Sequence, residues 1–190
     1  MSPESVLGWV WILWFASWLA AAGWSNPTVS RPERRREFVY RLTVMIGIIL
    51  LFGWFPPVRS SQGILWQTEN AVGWLMTAIA TLGLLFTWWA RITLGKLWSG
   101  NVTRKQDHHV VDRGPYAMVR HPIYSGIILA SIATAVMRGT ALAFVGMAIT
   151  TVSWYIKARL EENFLREQLG IENYDAYARR VPMLIPFAKF

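Results

Sequence analysis

The chain has 190 residues and no cysteine. Disulfides, Cys-ligated zinc, iron–sulfur clusters and Cys nucleophiles are therefore excluded. Charge is also scarce, because only 16% of the residues are charged, against roughly 25% in a soluble domain. The sequence has no Gly-rich dinucleotide fingerprint, no P-loop and no G-x-S-x-G elbow. Any nucleotide-like cofactor must therefore be held in some other way.

Apolar residues dominate the composition. Hydrophobic residues make up 54% of the chain, and 12 residues are Trp. A soluble core of this size cannot hide that much apolar surface, so the composition predicts an integral membrane protein. Trp is frequent near the ends of the apolar runs, which is typical of an aromatic belt. The net charge is +8. The basic residues lie between the apolar runs, where they would contact anionic lipid headgroups, so lipid is favoured over nucleic acid as the partner.

The apolar runs predict an all-α membrane fold of about five transmembrane helices in one domain. Three N-terminal runs of about 18 to 20 residues are long enough to cross a ~30 Å hydrocarbon core, and they occupy residues 1–90. The first run lacks the basic region and cleavage site of a signal peptide, so we expect a retained helix. The last two runs, separated by Arg138 and Gly139, predict a short helical hairpin within residues 91–190. The five runs are Val6–Trp24, Phe38–Phe55, Ala71–Ala90, Ile123–Met137 and Thr140–Ile156.

Basic residues predict the orientation. Residues 31–41 hold five Arg against two Glu, residues 91–121 hold six Lys or Arg against two Asp, and the tail from Lys157 holds six basic residues against five acidic ones. On the opposite side, the basic residues are Arg59 and Arg138. The positive-inside rule therefore places all three basic segments in the cytoplasm and the N-terminus outside.

The loop before the fourth run contains all three His residues. Gly114-Pro115 indicates a turn, and Pro122 suits the first position of a helix with His121 as its cap. The free N–H groups of that helix start would form an anion site at the interface. The alternative is an ordinary helix start with a His cap and interfacial Tyr residues. A metal site is not expected, because the adjacent residues His108 and His109 lack the i, i+4 spacing of two ligands on one helix face.

The tail predicts a helix that continues to about Leu169, breaks at Gly170 and is followed by a short helix over Tyr174–Arg180. Lys157 and Glu161 are i, i+4 neighbours where the fifth run leaves the membrane. They are either an ordinary charged helix exit or a functional pair. In the functional interpretation, the cation binds an anionic substrate and the carboxylate binds a cationic cofactor.

Several motifs together resemble the isoprenylcysteine carboxyl methyltransferase family and its phospholipid methyltransferase relatives. Their order and spacing agree over the C-terminal half, whereas the first three runs match only as apolar segments. The matching stretches are Gly95–Ser99, Val111–Tyr116, Val119–Gly126, Glu161–Leu165, Tyr174–Pro182 and Ile185–Phe187.

The resemblance implies a non-Rossmann helical membrane fold that binds S-adenosylmethionine on the cytoplasmic side, with S-adenosylhomocysteine as the product. It implies as cofactor-binding residues His108, His109, Val110, Val111, Tyr116, His121, Pro122, Ile123, Tyr124 and Glu161. The family's substrate-side cation is an Arg four residues before that Glu, and here the position is Lys157. Lys cannot grip a carboxylate with the planar fork of Arg, so Arg159 and Arg180 are alternative cations.

The expected reaction is methyl transfer to a lipidic substrate that enters sideways from the bilayer. An isoprenylcysteine-like carboxylate is already ionised and needs only positioning and desolvation. The amine of a phospholipid, the alternative acceptor, must first lose a proton. More distant alternatives are a membrane reductase of the steroid 5-alpha-reductase type and a non-enzymatic scaffold. The Glu161-Glu162 pair and the stretch 179–182 favour the methyltransferase.

Overall fold

The computed structural model describes residues 1–24, 28–30, 34–53, 63–98, 104–105 and 110–188, with side chains except at 28–30, 34–37, 104–105 and 169. Long helices dominate this part of the chain. They are α1 (Pro3–Ala20), α2 (Arg34–Phe52), α3 (Asn70–Leu94), α5 (Pro122–Arg138) and α6 (Ala141–Leu169). Shorter elements are the 3₁₀ turns Ala21–Gly23 and Gly95–Leu97, the strands β1 (Thr28–Ser30) and β2 (Arg104–Lys105), and the helices α4 (Pro115–Met118) and α7 (Ile171–Arg180).

Three of the described helices are long and apolar enough to cross a membrane, over Pro3–Gly23, Asn70–Leu97 and Ala141–Gln168. The apolar helices Phe38–Phe52 and Pro122–Arg138 are shorter. The helix α5 begins at Pro122, as predicted, and Gly139 ends it in the left-handed conformation with φ 57°. Thr140 then caps α6 by accepting from the amide of Ala143.

The predicted break at Gly170 is confirmed, although α7 starts at Ile171, earlier than the predicted Tyr174. The residue Gly170 has a φ of 88°, which only glycine adopts easily. The apolar run and the charged exit helix before it form one continuous helix, α6, from Ala141 to Leu169. Residues on α6 therefore reach from the bundle interior to the tail.

The helices pack in the order α1, α3, α5, α6, α2. At one end of the bundle, Arg91 donates to the carbonyls of Ala21 and Trp24, and β1 pairs with β2. At the other end, Ile64 forms a bridge with Thr140. The strands β1 and β2 thus meet at one end of the bundle, and residues 63–68 lie at the other.

Glycine pairs allow two helix crossings to be close. A Cβ on Gly83 of α3 would lie 2.7 Å from the carbonyl oxygen of Gly126 on α5. A Cβ on Gly47 of α2 would lie 2.9 Å from the carbonyl oxygen of Gly146 on α6. Small residues at crossings let helix backbones approach, which is the main source of packing energy between helices in a bilayer.

Two indoles on α1 lie inside the bundle. The Nε1 of Trp11 donates to the hydroxyl of Thr134 at 3.0 Å, and that of Trp14 donates to the hydroxyl of Thr87 at 2.8 Å. An indole N–H in an apolar environment needs such a partner. Trp11 and Trp14, in the middle of the first apolar run, therefore join α1 to α5 and α3.

We expect Gly83→Ala to destabilise the protein by about 1–3 kcal/mol, because the new methyl group meets the rigid backbone of α5 and forces overpacking. The measurement is the thermal unfolding midpoint of the detergent-solubilised protein. Gly8→Ala is the matched control, since a Cβ at Gly8 would have nothing within 4 Å, and alanine favours a helix over glycine. Equal midpoints for the two variants would contradict the close-crossing account.

Candidate active site

A cavity of about 1170 Å³ extends from the bundle end near Trp98 and Tyr116 into the bundle as far as Gly8 and Phe52. Its charged and aromatic wall comes from residues 110–124, α6 and α7. Its apolar wall comes from α1 and α2, through side chains such as Phe15 and Met45 that are more than half exposed. The cavity therefore connects a polar end to an apolar cleft.

A stack of three rings joins α5 to α6 at the polar end. The ring of His121 lies parallel to that of Tyr124, with centroids 5.4 Å apart, and Tyr124 stacks on Trp154 at 4.8 Å. The Tyr124 hydroxyl donates to Glu161 Oε1 at 2.6 Å. Because both His121 and Tyr124 are at the start of α5, this contact fixes the helix start against the middle of α6.

Two neighbouring carboxylates have different surroundings. The residue Glu161 lines the cavity, whereas Glu162 is only 1% exposed and accepts from Arg120 Nε at 2.6 Å. The residue His121 lies between them, with Nε2 3.2 Å from Glu162 Oε1 and Nδ1 3.6 Å from Glu161 Oε2. Burial lowers the pKa of His121. Hydrogen bonds and negative charge from Glu161 and Glu162 raise the pKa by more, so it lies above the ordinary value.

Lys157 is the cation that faces this cavity from α6. It is 5% exposed, and its Nζ lies 3.9 Å from Glu161 Oε1. The rings of Tyr40, Tyr124 and Trp154 surround the Nζ, each with its centroid 5.3 Å away. An ammonium over aromatic faces is held by their quadrupoles, and the attraction is larger when water is excluded.

The other two predicted cations lie away from the cavity. The residue Arg159 is exposed on α6. The Arg180 side chain is 69% exposed, and its guanidinium lies 3.6 Å from Asp112 Oδ2. An exposed pair of this kind contributes little to stability, and neither cation lines the cavity.

Most of the predicted cofactor wall comes together. The residues Val110, Val111, Tyr116, His121, Ile123, Tyr124 and Glu161 all line the cavity. The residue Pro122 is buried at the first position of α5, while His108 and His109 lie outside the described residues. His121 is the N-cap residue of α5, as predicted. Its side chain makes no capping hydrogen bond within the described structure, and its ring contacts the two glutamates instead.

Sequence reasoning missed Arg120 as a connector. Its Nη1 donates to the carbonyls of Ala178 at 2.9 Å and Val181 at 2.6 Å, at the C-terminal end of α7. Together with the Nε bond to Glu162, this joins α7, the start of α5 and α6 through one side chain. The Tyr177 hydroxyl adds a bond to the carbonyl of Tyr116 at 2.7 Å. The sequence did contain a signal for this contact. Arg120 precedes His121, and Glu162 follows Glu161, within the stretches that resemble the family.

A second missed cation, Arg91, is fully buried. It donates to the carbonyl of Gly95 as well as to those of Ala21 and Trp24, and its guanidinium carbon lies 4.0 Å from the ring centroid of Trp98. It closes the end of α1 against α3. Among the described residues, no group of three or more His, Cys, Asp or Glu is placed to hold a metal ion.

The raised pKa of His121 predicts a pH-dependent stability. Its charge stabilises the fold fully below the unfolded pKa of about 6.5, and this contribution is lost as pH rises through the higher folded-state pKa. We expect the unfolding midpoint of the wild type to fall relative to that of His121→Gln as pH is raised. Differential scanning fluorimetry in detergent measures this difference. Both proteins contain His108 and His109, so the contribution of these residues cancels in the comparison. Parallel pH profiles would count against a charged His121 between the glutamates.

The sequence of this chain matches a known protein family and several curated relatives. The model of the isoprenylcysteine carboxyl methyltransferase family matches residues 70–167, more than half of the chain. The chain is 31% identical over 179 residues to methanethiol S-methyltransferase 1 of Bradyrhizobium diazoefficiens, covering 87% of this chain and 59% of that protein. It is 33% identical over 113 residues to protein-S-isoprenylcysteine O-methyltransferase B of Arabidopsis thaliana, covering 58% and 51%. The chain thus spans little more than half the length of these curated relatives.

A solved structure, that of the eukaryotic intramembrane Ras methyltransferase ICMT, has the same fold. It superposes with a TM-score of 0.59 at 21% identity, covering 98% of this chain and 68% of that one. The helices of spanning length, the shared fold and the family match together confirm the predicted helical membrane protein. The chain belongs to the isoprenylcysteine carboxyl methyltransferase family.

Proposed function

We propose that this protein transfers a methyl group from S-adenosylmethionine to a membrane-associated acceptor within the cavity. The observation that carries the proposal is that one cavity contains both Glu161 and Lys157 at its charged end and an apolar cleft formed by α1 and α2. A cationic methyl donor and an anionic acceptor with a lipidic tail fit these two regions. The names of the relatives, methyltransferases of a thiol and of isoprenylcysteine, support group transfer of this kind.

The proposed topology places five helices across the membrane, with α5 and α6 as a short hairpin whose tip reaches the far interface. The cavity end and the tail then face the cytoplasm. The contact between β1 and β2 supports this arrangement, because it brings together two segments of basic sequence, and positive charge is retained on the cytoplasmic side.

The donor set of the cavity wall suits S-adenosylmethionine. When bound, this cofactor would supply a methyl group carried on a positively charged sulfonium. The carboxylate of Glu161 offers the opposite charge, and stacked and buried rings offer faces for an adenine. The residues proposed to hold it are those of the predicted wall, His108, His109, Val110, Val111, Tyr116, His121, Pro122, Ile123, Tyr124 and Glu161, with Tyr174 and Tyr177 of α7 added from the cavity lining.

Lys157 would position the acceptor. Its ammonium is held by three rings and by Glu161, so its location is fixed before an acceptor arrives. A carboxylate acceptor is already ionised near neutral pH, and the site then needs to supply only orientation and removal of water. A phospholipid amine is a poorer fit, because Lys157 would repel the protonated form.

A thiol is the second acceptor that a specific observation favours. A cation at the cavity wall lowers the pKa of a nearby thiol and raises the fraction of reactive thiolate. The residue Lys157 provides that cation, and one relative that matches 87% of the chain is named a methanethiol S-methyltransferase. The apolar cleft would then serve small hydrophobic thiols that partition into the bilayer.

The direct test is methyl transfer from isotope-labelled S-adenosylmethionine to extracted membranes and to added thiols. Analysis of the labelled product as an ester, a thioether or a methylated amine identifies the acceptor class. We expect Glu161→Gln to weaken binding of S-adenosylmethionine, measured without an acceptor, by about 1–3 kcal/mol, because the carboxylate contact to the positive sulfonium is lost. Calorimetric titration in detergent measures this change. Glu167→Gln, an exposed position on the same helix, is the matched control, and equal affinity for both variants would contradict the cofactor assignment.

For Lys157 we expect two opposite results. Lys157→Met should reduce kcat/KM about 10²-fold with an anionic acceptor while cofactor affinity changes little, because the acceptor loses its charge partner. Lys157→Arg should retain or improve activity with a carboxylate, because a planar fork binds two oxygens. The exposed Arg159, changed to Met, is the control and should keep full activity. Activity lost at Arg159 and kept at Lys157 would mean that the acceptor contacts a different cation.

A further inference from the structure

The C-terminal tail after α7 runs along the start of α5. The carbonyl of Pro182 accepts from the amide of Arg120 at 2.8 Å, and the carbonyl of Met183 accepts from the amide of His121 at 3.1 Å. The Ser125 hydroxyl donates to the carbonyl of Leu184 at 2.6 Å. Because Ser125 belongs to the first turn of α5, the tail reaches the level of that turn.

The length of α5 sets the depth of this contact. Its 17 residues span about 25 Å at 1.5 Å per residue, less than a hydrocarbon core of about 30 Å. If α5 crosses the bilayer as proposed above, its first turn must lie at the edge of the hydrocarbon. Residues that follow Leu184 therefore lie at the boundary between headgroups and acyl chains.

A turn at this level holds two apolar side chains away from the protein. The amide of Ala188 donates to the carbonyl of Ile185 at 3.2 Å, and Pro186 occupies the second position of the turn, where proline is favoured. Phe187 occupies the third position with a φ of 65°, where glycine is usual. The side chain of Ile185 is 62% exposed and that of Phe187 is 90% exposed.

A strained backbone that carries an uncovered ring needs a compensating contact. The described residues leave the Phe187 ring almost entirely exposed, so they do not supply that contact. Two exposed arginines, Arg179 and Arg180, come a few residues before the turn and favour anionic headgroups. An aromatic ring beside such charges is typical of interfacial anchors.

We infer that Ile185 and Phe187 insert into the headgroup–acyl boundary of the leaflet that faces the cavity end. The anchored turn holds the tail, and through its backbone bonds the segment Arg120–His121, at the lipid surface. This interaction requires a lipid bilayer and neither cofactor nor acceptor. It rests on the proposed crossing of α5, which the experiment below tests separately.

The absence of native cysteine allows single-site nitroxide labelling without background. Phe187→Cys, Arg179→Cys and Leu129→Cys are labelled and reconstituted in nanodiscs of phosphatidylcholine and phosphatidylglycerol that hold one protein each. Power saturation with oxygen, which partitions into lipid, and with a water-soluble nickel chelate reports the depth of each label. We expect oxygen access to dominate at 187, nickel access to dominate at 179, and the deepest signal at the lipid-facing Leu129 of α5.

A water-exposed label at 187 together with a buried label at 129 overturns the anchor while leaving the α5 crossing intact. A water-exposed label at 129 overturns the crossing itself and the anchor with it. If the label at 187 is water-exposed in these single-protein discs and shielded only in larger discs that hold two proteins, a second copy is the partner and the anchor is also overturned.

A second variant tests the role of the ring without changing the labelled site. With the label on Ile185→Cys, replacing Phe187 by Asp should move the label toward water, whereas replacing it by Leu should keep the depth. Unchanged depth in both backgrounds would show that the ring does not hold the turn in lipid and would overturn the inference.

Discussion

Two adjacent carboxylates in an apolar helical bundle need partners, and their partners determine how the C-terminal half is assembled. Glu162 is paired with Arg120 and His121. Glu161 is paired with His121 and Lys157 and accepts a hydrogen bond from Tyr124. Removing one partner from a buried ion pair typically costs about 3–5 kcal/mol, because the remaining charge is left uncompensated. The start of α5, the middle of α6 and the end of α7 are consequently bound to one another by a single charged network.

The neighbouring residues Glu161 and Glu162 have different surroundings in this network. On a helix, successive side chains point in directions about 100° apart, so Glu161 faces the cavity while Glu162 faces the buried contact with Arg120. The cavity carboxylate can therefore take part in ligand binding while its neighbour maintains the fold. His121 contacts both glutamates, which makes the charge at the cavity wall sensitive to the packing behind it.

The sequence predicted features that local chemistry controls. Pro122 started a helix and Gly170 ended one because each residue restricts or permits particular backbone angles wherever it occurs. The apolar runs predicted the long helices because a segment in lipid must satisfy its own backbone hydrogen bonds. The bonds from Trp11 to Thr134 and from Arg120 to Val181 join residues far apart in the chain, and no local pattern specifies them. The choice among Lys157, Arg159 and Arg180 also depended on which helix face meets the cavity, which the spacing alone did not resolve.

The two glycine crossings define two tightly packed helix pairs in the bundle. The helix α3 is held against α5 at Gly83 and Gly126, and α2 is held against α6 at Gly47 and Gly146, with backbone in contact with backbone. Such contacts leave little freedom to slide, since any displacement brings main-chain atoms into collision. By contrast, α1 and α2 meet through side chains, with the rings of Trp11 and Phe52 5.5 Å apart. The cavity therefore has two kinds of wall: a charged one on helices whose backbones touch, and an apolar one on helices that meet through side chains.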